Sequence, residues 1–193
     1  MAYGRYQRGG STPILIIIGI NIILFIFIWI NPEIIRSLGL AQAYFVERPW
    51  TIVTNMFIHS SFGHILANML TLFFFGRYLS ALVGEKKFLL IYFIGGLVGN
   101  MFWLLLAPSP FHVGVGASGA VFAVGGALAV MRPKLRVFVF PIPAPIPLWV
   151  AVLGGFVIIS LFPNIAWQAH LGGLLLGLIA GYVLKSRERY TVL

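Results

Sequence analysis

Four polar side chains stand inside otherwise apolar runs, and their types suit acyl transfer: His64, Asn68, Ser118 and His170. The segment Gly116-Ala117-Ser118-Gly119 sets a hydroxyl at the start of an apolar run. If that run is a helix, its free N-terminal N–H groups can stabilise an oxyanion beside the serine. A serine nucleophile needs a base. The chain has no Asp, and its Glu residues stand only at 33, 47, 85 and 188, so a histidine is the good candidate. An uncharged His170 would be competent as that base near pH 7. His64 and Asn68 are spaced i, i+4 and share one helix face, from which both can donate to a developing negative oxygen. Phe122, one turn beyond Ser118, is expected to pack against the His170 ring and orient it.

Each feature also has a plainer reading. Gly-x-Ser-Gly is common as a small-residue packing patch. A single histidine near a membrane surface is often a hydrogen-bonded structural residue, and a His/Asn pair can simply cross-link helices. What separates the readings is whether the residues can meet, and that depends on the elements that carry them.

Those elements belong in lipid. Of 193 residues 60% are apolar and 9% charged, and the mean hydropathy is +1.01. A water-soluble domain of this size needs far more surface charge. Without Asp, aspartic proteolysis and paired-carboxylate glycoside hydrolysis lack reagents. Without Cys there is no thiolate nucleophile, disulfide or thiolate metal site, and neither a metal nor an organic cofactor is expected. The net charge of +9 does not indicate nucleic acid, because the basic residues flank apolar runs instead of forming one stripe.

A span takes about 20 apolar residues. The expected spans are 13–31, 62–83, 88–106, a short 117–131, 148–162 and 168–184, an all-α bundle of six transmembrane helices. A membrane-associated first outer loop, 32–60, carries the aromatic stretch from Ala43 to Phe57. The first span reads as a retained signal anchor. The expected organisation is a basic cytoplasmic tail (1–12), a six-span membrane domain (13–184) and a second basic tail (185–193). With six spans, eleven Lys and Arg fall on one side and only Arg36 and Arg48 on the other. That asymmetry puts both termini in the cytoplasm of a multi-pass cell-membrane protein. Alternating prolines over 140–147 bar a helix and favour an extended polyproline II strut.

Depth then brings the chemistry together. Ser118 lies fourteen residues above Arg132 at the inner interface, about 21 Å at helical rise. His170 lies fifteen above Lys185, about 22 Å. Two unrelated segments deliver their polar groups to one level, roughly 10 Å below the outer edge of a ~30 Å hydrocarbon core. The irregular stretch 107–116 must dip to that level, which is tolerated only against protein or a water-filled cavity. Gly173, Gly177 and Gly181 recur every four residues and mark the sixth span as tightly packed on a neighbour.

In this combination the chain resembles the rhomboid intramembrane serine proteases in their compact six-span form. The resemblance runs from about Trp50 to Gly181 and rests on His64-x-x-x-Asn68, Gly116-Ala117-Ser118-Gly119, and Ala169-His170-x-x-Gly173 with Gly177 following. It implies a Ser118–His170 dyad, with His64, Asn68 and the Ser118 N–H as the oxyanion hole and Gly116, Gly119, Phe122 and Gly173 in support. Trp50, Thr54 and His59 match structural positions of the family's first outer loop. Substrates would be transmembrane segments of other proteins, cut near their outer ends, with the fifth span and residues 162–169 as gate and lid. The chain departs from the pattern at Thr51 (commonly Arg), Ser80 (commonly Glu) and Phe122 (commonly Tyr). The competing readings are a silent, client-binding relative, which would usually lack the serine or the histidine, and a small transporter, for which inverted repeats and midplane charges are not evident.

Overall fold

The fold is organised around the short fourth span. In the computed structural model, which describes residues 11–139 and 141–190, α7 (Ser118–Met131) has eleven of fourteen residues buried. Its sequence, SGAVFAVGGALAVM, is small on every side, so it can be packed all round. The helices about it precede and follow in chain order. They begin with α1 (Thr12–Ile30) and the short α2 (Ile34–Leu38) and α3 (Thr51–Thr54). The second span is α4 (Phe62–Thr71), a π-helical turn (Leu72–Gly76) and α5 (Arg77–Val83), and α6 (Glu85–Leu106) is the third. After α7 come α8 (Leu148–Ser160) and α9 (Trp167–Tyr190).

Four of these segments, Thr12–Ile30, Phe62–Val83, Glu85–Leu106 and Trp167–Lys185, are long and apolar enough to cross a membrane, and α7 and α8 are shorter apolar helices. Large apolar side chains face outward along α1, among them Ile23, Ile26 and Trp29, and along α8 at Val157 and Ile158. Such a surface would be an aggregation liability in water and matches lipid tails instead. Helices stand at all six expected spans, with shifted edges. The third starts at Glu85 and the fifth stops at Ser160. The sixth continues as helix to Tyr190, so residues 185–190 extend α9, while 1–10 and 191–193 of the expected tails lie outside the described residues. Arg77 opens α5 inside the second span and lays its guanidinium 5.0 Å from the Phe73 ring centre.

The proline-rich connection differs from the expected strut. β1 (Arg136–Val137) pairs antiparallel with β2 (Ile146–Pro147), and Arg136 donates to the Pro145 carbonyl at 3.0 Å. The prolines do bar a helix. They do not hold the chain straight, because Ile142 N–H closes a turn onto the Val139 carbonyl at 2.7 Å.

The outer loop, by contrast, is fastened at many points. Trp50 Nε1 donates to Ser37 O (3.2 Å), Thr54 Oγ1 to Leu38 O (2.8 Å), and Arg48 to Arg36 O (2.8 Å). At the Thr51 departure the hydroxyl donates to Arg48 O at 2.6 Å, so a local turn stands where an arginine is common. Ser80 is buried in the second span. Leu40 and Gly114 exchange backbone bonds of 2.9 and 2.7 Å, and Trp103 Nε1 adds a third bond to Leu40 O at 3.1 Å. These bonds pin the dipping segment 107–117 between the outer loop and α6.

Candidate active site

The site forms where α9 lies on α7 without side chains between them. A Cβ on Gly173 would collide with the Gly119 carbonyl, and one on Gly177 with the Ala123 carbonyl. A Cβ on Gly181 would sit 2.5 Å from the Ala127 carbonyl. Both helices therefore contribute a small residue every four positions, 173/177/181 against 119/123/127, and the backbones lock in one register. That register places the residues just outside it. Ser118 precedes Gly119, His170 precedes Gly173 by one turn, and His170 Nε2 stands 2.7 Å from Ser118 Oγ.

Around this pair the other expected residues fall unequally. The Phe122 ring lies 4.8 Å from the His170 ring, tilted by 32°, and is itself braced edge-on by Phe156 of α8. His170 Nδ1 is buried and has no partner, so among the described residues no third side chain completes a triad. Gly116 has φ +125°, a conformation other residues rarely adopt. The position a Cβ would take there is 2.7 Å from His64 Nε2 and 3.5 Å from Ser118 Oγ. Glycine thus leaves open a small space bounded by an imidazole nitrogen and the serine oxygen. Ser118 and His64 are only partly buried, so the space is not sealed within the protein.

His64 is held at both ends of its residue. Its backbone N–H donates to Ser61 Oγ, the N-cap of α4, at 3.2 Å, and its Nδ1 lies 3.3 Å from Ser60 Oγ. With the Ser60 hydroxyl donating, the ring proton sits on Nε2, the nitrogen that faces the Gly116 space. Asn68 is on the same face, but its amide donates back to His64 O at 2.9 Å, leaving one N–H for any other acceptor. Of the expected side-chain oxyanion donors it is the one already partly committed elsewhere.

Three further side chains, outside the expected dyad and its donors, bear on the site. His59 stacks edge-on against His64 at 4.8 Å and accepts the Ala117 N–H on Nε2 at 3.5 Å. Burial, aided by the neighbouring His64, pushes its pKa down to about 3, so it remains a neutral acceptor at ordinary pH. Asn55 and Asn100 are both buried and bonded to each other. Asn100 interrupts an apolar span, the signal that flagged Ser118 and His170, so it was within reach of the same reasoning.

No group of three or more His, Cys, Asp or Glu side chains capable of holding a metal occurs among the described residues. A hydroxyl in contact with an imidazole, beside a helix N-terminus and a second imidazole donor, is a constellation suited to nucleophilic acyl transfer.

Comparison with known proteins gives the same direction. The Rhomboid domain family model matches residues 46–187. The chain is 30% identical to Rhomboid protein 1, mitochondrial, of Saccharomyces cerevisiae, over 90% of this chain and 54% of that protein. It is 29% identical to YdcA of Bacillus subtilis, over 86% of this chain and 81% of that one. Rhomboid protease GluP of Bacillus subtilis is 28% identical over 93% of this chain and 36% of its own length. The chain thus spans about half or less of the yeast protein and of GluP.

Proposed function

Because the chain belongs to the rhomboid family of integral membrane proteins, which includes proteases, we propose that it is an intramembrane serine endopeptidase working through Ser118 and His170. One observation carries this reading: the 2.7 Å contact between His170 Nε2 and Ser118 Oγ, made by two different helices inside an apolar bundle.

On this reading Ser118 Oγ attacks the scissile carbonyl carbon while its proton passes to His170 Nε2. The oxyanion forms in the space beside Gly116, where His64 Nε2, an Asn68 N–H and the Ser118 backbone N–H stabilise it. Collapse of the tetrahedral species breaks the C–N bond, and His170 returns the proton to the leaving amine. Water then attacks the acyl-enzyme, with His170 taking one of its protons and Ser118 regaining its own as the acid product leaves. Phe122 limits rotation of the imidazole, which has no carboxylate to hold it.

The substrates are transmembrane segments of other proteins, cut near the outer end, since the dyad stands about 21 Å above the inner interface. The skewed Lys and Arg distribution supports a multi-pass protein of the cell membrane with cytoplasmic termini. Replacing Ser118 with Ala should abolish cleavage of a model transmembrane substrate in detergent and leave the melting temperature unchanged. Cleavage by the alanine variant at the wild-type rate would refute the reading.

A further inference from the structure

Gly116 adopts a conformation that must be imposed from outside, because nothing in a Gly-Ala-Ser-Gly sequence selects φ +125° over its alternatives. The Gly116 N–H donates to the Asn55 backbone carbonyl at 2.9 Å. Asn55 in turn is fixed by its side chain. Its Nδ2 donates to Asn100 Oδ1 at 2.9 Å, and Asn100 Nδ2 donates back to Asn55 Oδ1 at 2.8 Å. Asn100 Nδ2 also donates to Ile52 O at 2.6 Å, within the same outer-loop turn. Two amides thus satisfy each other face to face, joining α6 to the outer loop in an apolar surrounding where an unpaired amide is costly.

The same stretch of α6 touches both carriers of the dyad. A Cβ on Gly99 would sit 2.6 Å from the Ala169 carbonyl, next to His170, and 3.5 Å from Gly119 Cα, next to Ser118. Gly99 therefore records where the two helices meet, and Asn100 records where the Gly116 loop hangs relative to them. We propose that the reciprocal Asn55–Asn100 pair is a positioning device for the reaction, holding the carbonyl that keeps Gly116 at positive φ and the space between His64 and Ser118 open. Neither residue touches the reacting atoms; both act through Gly116. The inference rests on the protease reading of this site and assigns it two residues from outside the dyad and its oxyanion donors.

The pair makes a demand on charge and hydrogen count that a packing role would not. Asn100 both accepts and donates, so an aspartate there can restore the reciprocal bonds with Asn55 only when protonated, and then without the second N–H that Asn100 gives to Ile52 O; an ionised carboxylate is an acceptor alone. A carboxyl at position 100 would be protonated at acid pH and would ionise as the pH rises.

The experiment compares wild type, Asn100→Leu, Asn100→Asp and Ser118→Ala in detergent. It measures the rate of Ser118 modification by a fluorophosphonate, kcat and KM on a model transmembrane substrate against pH, and the melting temperature. Labelling of wild type but not of Ser118→Ala establishes the underlying site independently. Asn100→Leu is then expected to lower the labelling rate and kcat by about 100-fold with KM within about twofold, the size of effect that a 1 Å misplacement produces. Asn100→Asp is expected to regain activity at acid pH, moving its optimum below that of wild type. Asn100→Leu at wild-type rates would overturn the positioning role and leave the protease reading standing. Should Asn100→Leu not fold, Asn100→Asp decides. An unshifted pH optimum, or equal loss of activity and melting temperature at every pH, reduces the pair to structure alone.

Discussion

The two helices that flank the outer half of α7 are packed in opposite ways. On α9, Gly173 and Gly177 meet the α7 backbone so closely that even a methyl group would collide. On α8, a methyl group placed on Gly154 or Gly155 would have nothing within 4 Å, and only Leu148 and Val152 are buried along the helix. Both are apolar helices with glycines, so composition does not separate them. What separates them is spacing. Glycines four apart form one groove on one face, whereas adjacent glycines point to different faces. The lesson is that in lipid, where apolar burial drives little helix association, rigidity comes from backbone proximity. The α7–α9 contact fixes Ser118 against His170. On the proposed protease reading, the lightly attached α8 is the side from which a transmembrane substrate approaches Ser118.

This contrast can be broken at several points. The largest effect is expected from Gly173→Val, which drives a branched side chain into the Gly119 carbonyl. Activity should be lost altogether and the melting temperature should fall steeply, because overpacking against backbone costs at least the ~1–3 kcal/mol typical of crowded cores. Gly116→Ala comes next. It forces a non-glycine residue to φ +125° and puts a methyl against His64, so kcat should drop by about 100-fold with a stability loss of ~1–3 kcal/mol by thermal melting. Phe122→Ala removes the ring beside His170. About a tenfold loss in kcat with little change in KM is expected, together with a loss of ~3 kcal/mol or less, since the ring is only partly buried. The smallest effect belongs to Gly154→Ala, which fills open space and gains helix propensity. Melting should be unchanged or raised by up to ~1 kcal/mol, and cleavage should stay within about twofold. An equal loss from Gly154→Ala and Gly173→Val would erase the distinction between the two helices.

Much of this was legible in the residues. Span two stands at the 62–83 expected from its apolar length, and the structure shows Ser61 capping its start and Gly84 closing its end. The common depth of Ser118 and His170 followed from counting back to Arg132 and Lys185. In the structure Lys185 Nζ donates to Val130 O at 2.8 Å, so Lys185 reaches the last turn of α7, which Arg132 follows. Less was legible where long-range pairing decides. The π-helical turn at 72–76 contains no proline, and nothing in Leu-Phe-Phe-Phe-Gly specifies a widened turn. The 140–147 stretch reads as extended from its prolines, and only the Arg136–Pro147 register shows that the connection doubles back. Asn55 stands in the aromatic stretch of the outer loop, and nothing local announces that its amide faces Asn100 across 45 residues.

The central claim is that an imidazole from α9 activates a hydroxyl from α7. Its most direct test is the mass-resolved rate at which a fluorophosphonate modifies the protein in detergent. The account predicts a single adduct on Ser118 that forms at least about 100-fold more slowly in His170→Ala. An adduct on another residue, or one that forms at the same rate without His170, would contradict it.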